Sequence, residues 1–190
     1  MTHVYRTTAA SAALLVAVFG VTACGSDSPG TSPSTSAAAA FNDADATFAS
    51  QMIPHHQQAV EMADLALRKA TTAEVKNLAT AIKAAQDPEI KQLSGWLAAW
   101  GRPVPTPGEH SGHSMAGMMG ADELAELSKA SGSRFDRMWM QMMIEHHQGA
   151  VAMAKTEQTT GKDPAAIALA KKIDTAQTSE ITTMRRLLGS

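Results

Sequence analysis

The chain contains one stretch twice, and that stretch decides the fold: HHQQAVEMA at residues 55–63 returns as HHQGAVAMA at residues 146–154, 91 positions later. Self-similarity at a fixed offset indicates a duplicated structural unit, with repeat one at 45–97 and repeat two at 136–188. The residues that match at this offset without a gap include Asp45 and Asp136, Met52 and Met143, Ile53 and Ile144, Leu78 and Leu169, Ala79 and Ala170, Ile82 and Ile173, Ala85 and Ala176, Gln86 and Gln177, Glu89 and Glu180, and Ile90 and Ile181.

The residues around the first copy have the period of a helix. Apolar side chains recur at steps of three and four from Phe48 onward, which predicts an amphipathic helix from Asn42 to about Ala70. Pro54 lies inside it and should kink or split it near residues 50–53, because proline lacks an amide donor. The sequence Thr71-Thr72-Ala73-Glu74 fits a capping box, so a second helix should follow and run to about Trp100.

The second copy predicts the same hairpin again. One helix should start near Ser133 and end near Thr160, and the next should open at Asp163-Pro164 and run to about Leu188. Between the repeats lies a linker at 102–120 that is rich in Pro, Gly, His and Met, followed by a short helix at 122–129. No segment alternates like a strand. We therefore expect an all-α, up-down four-helix bundle built from two duplicated helical hairpins.

The first forty residues differ in composition from the rest. An apolar run at 9–21 follows Arg6 and ends at Val21-Thr22-Ala23-Cys24, which resembles a lipoprotein signal peptide at 1–23 with Cys24 as the lipidated residue. Residues 24–40 are mostly Gly, Ser, Thr, Pro and Ala and predict a disordered tether before the domain at 41–190. The expected location is the outward face of the cell membrane. An ordinary secretory signal with an incidental cysteine is the alternative.

The composition excludes several classes of function. With 16 basic and 18 acidic residues, the net charge of −2 gives no reason to expect nucleic acid as a partner. The single Cys cannot form an internal disulfide. We find no nucleophile motif and no glycine-rich phosphate loop, and Asp45 and Asp136 are better explained as capping or solvated residues than as a catalytic pair.

Each repeat carries a Met-x-x-His-His unit, and this pattern indicates a metal site. Di-iron bundles use Glu-x-x-His, whereas here a thioether stands three residues before each His pair. A soft thioether sulfur together with imidazole favours copper, and Cu(I) above all. The imidazoles can also bind Cu(II). The residues predicted to bind the metal are Met52, His55 and His56 in repeat one and Met143, His146 and His147 in repeat two.

Further donors lie close to these units in the sequence. Methionines on an apolar helix face are usually core residues, and a His/Met-rich linker can also be simply an exposed loop, so both alternatives stay open for this group. Gln57 and Gln148 follow the His pairs and are expected to hydrogen-bond a ligating imidazole from behind. The additional candidate ligands are Met62, Met140, Met142, Met153, His110, His113, Met115, Met118 and Met119.

The two motifs MIPHHQQAVEMA at 52–63 and MIEHHQGAVAMA at 143–154 resemble the signature of the DUF305 family, which includes CopM-type copper-binding proteins of the bacterial envelope. The resemblance covers residues 41–188. It implies a ferritin-like four-helix bundle and, in the CopM-like branch, copper binding by Met and His in metal resistance. Glu145 departs from the first copy, where Pro54 stands, but it leaves the donor residues in place.

Together these features predict a lipid-anchored copper-binding protein that sequesters or transfers the ion and is not an enzyme. A metal-dependent oxidoreductase of the cuprous oxidase type, with an open coordination position at the same site, is one alternative. A structural or partner-binding lipoprotein without metal is another. A second copy could complete sites across a homodimer, and the sequence does not identify the protein that donates or accepts the metal.

Overall fold

The computed structural model describes residues 40–106 and 115–189. The predicted signal peptide, Cys24, the tether up to residue 39, and the linker residues His110 and His113 lie outside the described residues. Among the helices that are described, none combines the length and the apolar character needed to cross a bilayer.

Four long helices and one short helix form the described domain. They are α1 (Asp43–Lys69), α2 (Ala73–Ala99), α3 (Ala121–Lys129), α4 (Gly132–Thr160) and α5 (Pro164–Leu188). Helices α1 and α2 make one hairpin, α4 and α5 make the other, and the hairpins meet mainly through α1 and α4. No described residue is in a strand. The prediction of an all-α bundle of two duplicated hairpins is confirmed.

Helix α1 continues through Pro54, so the predicted split is wrong. Proline removes one backbone hydrogen bond from a helix interior. Here Met52 and Ile53 before it and His55 after it are all buried, and the packing of this face holds the helix together across the missing bond.

The predicted capping box at Thr71 is also wrong. The residue that precedes α2 is Thr72, and its side chain makes no capping hydrogen bond. The cap comes from the other hairpin, because the carboxylate of Asp136 on α4 accepts from the amide of Thr71 at 3.0 Å, the hydroxyl of Thr71 at 2.7 Å and the amide of Thr72 at 3.0 Å. Repeat two therefore caps the second helix of repeat one.

Asp45 makes the reciprocal cap. Its carboxylate accepts from the amides of Lys162 at 3.0 Å and Asp163 at 2.9 Å, at the turn between α4 and α5. It also accepts from the amide of Asn42, where α1 begins. Asp45 and Asp136 are both buried, so of the two roles expected for them capping is right and solvation is wrong. Each aspartate ties the first helix of its own repeat to the turn of the other.

The core has two apolar clusters separated by a polar layer. One cluster contains Phe48, Met52, Ile53, Leu93 and Leu97 with residues of α4 and α5. The other contains Met62, Trp139, Met143 and Met184, and the indole nitrogen of Trp139 donates to the carbonyl of Met62 at 2.9 Å. Every long helix contributes two polar residues to the layer between the clusters, and all but the half-buried Glu180 are buried: His55, His56, Gln86, Glu89, His146, His147, Gln177 and Glu180.

The first prediction concerns the cap at Asp136. Asp136→Ala leaves three donors without their acceptor and should lower the free energy of unfolding by about 1–2 kcal/mol, because hydrogen bonds to a charged group are strong, while water can replace part of them at the exposed residues Thr71 and Thr72. Urea unfolding at pH 7 measures the loss. Glu61→Gln, at an exposed position on α1, is the control and should change stability by less than about 0.5 kcal/mol. Equal effects of the two changes would show that the cap does not stabilise the fold.

The second prediction concerns pH. Glu157 is buried, and burial together with the neighbouring Asp45 carboxylate raises its pKa from 4.5 to about 8. A raised pKa means that the folded chain holds a proton the unfolded chain has released, so this stabilisation is present below pH 4.5 and is lost as pH rises toward 8. Glu157→Gln imitates the protonated acid and should flatten the decline in the urea midpoint over this range. A decline that is parallel in the two chains would contradict the pKa shift.

Candidate metal site

Four histidines lie fully buried in the polar layer. His55 and His56 project from α1, and His146 and His147 project from α4, with none of the four side chains reaching solvent. They meet because α1 and α4 form the contact between the hairpins. The duplicated His-His motif is therefore assembled into one place at the interface of the two repeats.

His55 and His146 form the centre of this place. Their ring centroids are 3.8 Å apart and the ring planes are inclined by 45°. Both nitrogens of both rings are buried and make no hydrogen bond of good geometry, although the backbone of Ala116 lies close enough to His55 to favour its protonated form. Buried polar atoms are nearly always paired, and each neutral imidazole has one N–H donor and one lone pair, so this arrangement indicates a ligand that takes up one lone pair on each ring.

His56 and His147 have one paired and one unpaired nitrogen each. The Nε2 atom of His56 lies 2.9 Å from a carboxylate oxygen of Glu89 on α2, and the Nε2 atom of His147 lies 2.7 Å from Glu180 on α5. The Nδ1 atoms of both rings are buried and unpaired. A carboxylate behind an imidazole is the usual device that fixes the tautomer and orientation of a metal-binding histidine.

The pKa shifts of His55, His56 and His146 keep these three imidazoles neutral. Burial, followed by the proximity of His56, lowers the pKa of His55 to about 3, with a backbone interaction at Ala116 acting in the opposite direction. Burial and His55 hold the pKa of His146 well below 6.5. Burial also lowers the pKa of His56, although Glu89 opposes the shift. Neutral imidazole is the form that binds a metal ion.

The Glu89 carboxylate is ionised. Burial acts to raise its pKa, but the contacts with His56 and with Lys172, whose amino group lies 3.2 Å away, outweigh burial and lower it. An ionised carboxylate can only accept, so the Nε2 atom of His56 carries the proton and donates it. The Nδ1 atom then presents a free lone pair to the layer.

Helical spacing determines where the two candidate thioether donors lie relative to the histidines. Met52 and Met143 lie one turn before His55 and His146, and both are fully buried. Within the described residues, no group of three or more His, Cys, Asp or Glu is arranged to hold a metal. The thioethers of Met52 and Met143 add sulfur to the candidate imidazole donors, and this combination would suit a soft metal.

The additional candidates are distributed over the rest of the domain. Met62, Met119, Met140 and Met142 are buried in the apolar cluster on the Trp139 side of the layer, and Met153 packs on the cluster at the other side. Met115 and Met118 are half-buried in the linker. The packing alternative considered for these methionines fits the positions of Met62, Met140 and Met142 best.

The residues behind the imidazoles are Glu89 and Glu180. Gln57 is half-buried and Gln148 is exposed, and neither is hydrogen-bonded to a ring nitrogen in this structure. Glu89 and Glu180 match at the repeat offset, as do the buried Gln86 and Gln177. A carboxylate that recurs on an inward helix face in both repeats is a signal that could have identified them from the sequence.

The third prediction separates the two kinds of histidine in metal-free protein. The double change His55→Leu with His146→Leu removes unpaired buried nitrogens and should leave the free energy of unfolding unchanged or raise it. His56→Leu leaves Glu89 without its main partner and should lower it by about 3 kcal/mol. Urea unfolding in buffer with a chelator compares them. Equal losses would mean that the nitrogens of His55 and His146 are satisfied in the apo protein.

Comparison with solved structures finds similar proteins over most of the domain. CopM in a Cu(II)-bound form is 39% identical, covers 76% of this chain and 95% of its own, and has a TM-score of 0.68. CopM in a Cu(I)-bound form is 37% identical, with coverages of 75% and 94% and a TM-score of 0.64. A putative secreted protein from Streptomyces coelicolor is 35% identical, with coverages of 77% and 92% and a TM-score of 0.71.

A comparison with curated protein sequences finds no match. The family model described as "Domain of unknown function (DUF305)" matches residues 45–188, from the capping residue Asp45 to the end of α5. This range includes both repeats and the linker between them, which agrees with the resemblance found in the sequence motifs. The chain belongs to the DUF305 family.

Proposed function

We propose that this protein binds copper in the polar layer between its two repeats. The observation that carries the proposal is the set of four buried imidazoles with six unpaired ring nitrogens, flanked by two buried thioethers. The similarity to CopM, whose structures contain Cu(I) and Cu(II), supports copper as the metal. We propose Met52, His55, His56, Met143, His146 and His147 as the residues that hold it.

The donor set suits both oxidation states, with a preference for Cu(I). Thioethers are soft ligands that favour Cu(I), whereas neutral imidazoles accept either ion. Apolar clusters on both sides of the layer keep water away, and this exclusion also protects Cu(I) from ligand exchange with solvent. Copper supplies no chemistry in this proposal and is the cargo.

The two-repeat architecture makes the site depend on the folded domain. Each hairpin contributes the same donors from its first helix, and a carboxylate from its second helix orients one imidazole. The reciprocal caps of Asp45 and Asp136 fix how the hairpins meet. Binding energy therefore adds to folding stability, as expected for a site that exists only in the native state.

We further propose that the protein acts outside the cytoplasm as a lipoprotein attached through Cys24, where it sequesters copper or passes it to another protein. The support for this part is the sequence at 1–40 alone. The absence of any nucleophile motif from the sequence supports a binding protein rather than an enzyme.

The fourth prediction tests the site by anaerobic competition with a chromogenic Cu(I) chelator. Changing His55, His56, His146 and His147 together to Ala should abolish tight binding. Met52→Leu with Met143→Leu preserves apolar volume and should weaken Cu(I) binding more than Cu(II) binding, since only Cu(I) prefers sulfur.

The matched control is Met140→Leu with Met142→Leu, two buried methionines of the Trp139 cluster that should leave Cu(I) affinity unchanged. Unchanged Cu(I) affinity in the four-histidine variant would reject the layer as the site. Equal losses in the two double-methionine variants would reject Met52 and Met143 as ligands.

A further inference from the structure

The end of the linker lies against the two histidine-bearing helices, and we call residues Met115–Met119 the strap. The amide of Gln58 on α1 holds one end with two hydrogen bonds: its nitrogen donates to the carbonyl of Met119 at 2.9 Å, and its oxygen accepts from the Met119 amide at 2.8 Å. All of these groups are buried. A side-chain amide that satisfies both backbone groups of one residue fixes that residue in place.

The middle of the strap lies on the backbone of α4. Gly117 has φ of +82°, and a Cβ atom there would lie 2.6 Å from the carbonyl oxygen of Glu145 and 3.0 Å from that of His146. A Cβ atom at Gly149 would overlap the carbonyl oxygen of Ala116 and would lie 3.0 Å from Nε2 of His55. Gly117 and Gly149 therefore allow the strap to lie directly against α4, and the His55 ring is close to the same part of α4.

The strap is seated where the two repeats differ. Gln58 and Gly149 occupy equivalent positions at the 91-residue offset, directly after the HHQ that the two repeats share. In repeat one this position carries the amide that holds Met119, and in repeat two it carries the glycine that admits Ala116. Gln58 and Gly149, which differ between the repeats, therefore both contact the strap.

The strap is a thin cover over the His55–His146 pair. Ala116 is exposed, whereas the rings behind it have no exposed surface. The apolar clusters close the layer along the bundle axis, and α2 and α5 bring Glu89 and Glu180 to it. A five-residue segment outside the helices opens at a lower free energy than a packed helix does.

From these contacts we propose that the strap gates access to the His55–His146 pair and that Gln58 is the positioning residue that holds it closed. The inference rests on the proposed function in taking Cu(I) as the ion admitted. Opening requires breaking the two bonds at Met119, loosening the packing of its side chain in the Trp139 cluster and lifting Ala116 from Gly149, with α1 and α4 unchanged. Gln58 then sets the rate at which metal enters and leaves, rather than the affinity.

The fifth prediction uses the full chain without metal and a readout that needs none. Diethyl pyrocarbonate modifies neutral imidazole, and peptide mass spectrometry gives the rate at His55 and His146. Gln58→Ala removes both bonds at Met119 and should raise this rate roughly ten- to hundredfold, the change expected for two lost hydrogen bonds. Gly149→Ala displaces the other contact and should act in the same direction, while favouring the α4 helix itself.

Gln57→Ala is the matched control, since its neighbouring amide makes no bond to the strap, and it should leave the rate unchanged. Far-ultraviolet circular dichroism establishes that each variant retains its helices. Stopped-flow transfer of Cu(I) to a chelator then gives the exchange rates, which should rise in Gln58→Ala with the Cu(I) affinity changed by less than about threefold.

The outcomes are distinct for the gate and for the metal. Faster imidazole modification in both strap variants supports the gate, even if the chain binds no Cu(I), in which case only the proposed function fails. Unchanged modification and exchange rates in both variants, with Cu(I) bound normally, would overturn the gate and leave the copper site intact.

Discussion

The rest of the structure depends on one constraint: four imidazoles are buried between two apolar clusters, and six of their eight ring nitrogens lack a hydrogen-bond partner. If only folding mattered, an apolar layer would give a higher free energy of unfolding, because each unpaired buried polar atom destabilises the folded state. A ligand that uses one lone pair on each ring reduces this cost. Under the function we propose, the fold therefore favours the metal-bound state.

The duplication explains how a chain with few chemical groups builds such a layer. Each hairpin supplies one His pair, one glutamate and one glutamine at equivalent positions, and the two sets face each other across α1 and α4. The hairpins are aligned by Asp45 and Asp136, each of which caps the turn of the opposite repeat. The symmetry is broken at Gln58 and Gly149, and the strap is seated there.

Much of the architecture could be predicted from the sequence, because helix periodicity and the repeat offset are local signals. The bounds of α4 and α5, and the Asp163-Pro164 start of α5, follow from short-range chemistry. The cap of α2 could not be predicted, since the local Thr71 motif competes with a carboxylate 65 residues away. The prediction that α1 splits at Pro54 is wrong for a related reason. The burial of the helix face around Pro54 stabilises the helix more than the one lost hydrogen bond destabilises it.

The candidate site, like the fold, could be predicted from the sequence only in part. His55, His56, His146 and His147 were predicted as a group, because their pairs recur in both repeats. Glu89 and Glu180 were not predicted to orient them, because these contacts join helices 33 residues apart in sequence. Gln57 and Gln148, the neighbours in sequence, make no hydrogen bond to a ring nitrogen in this structure. The repeated sequence motif predicts which histidines come together, but only the packing of α2 and α5 identifies the carboxylates that contact them.

Anomalous diffraction at the copper edge, from crystals of the full chain loaded with Cu(I) without oxygen, tests the central claim most directly. The account predicts the strongest copper peak between α1 and α4, at bonding distance from a ring nitrogen of His55 or His146 and from the sulfur of Met52 or Met143. A fully occupied copper peak elsewhere, with no density between the two rings, would contradict it.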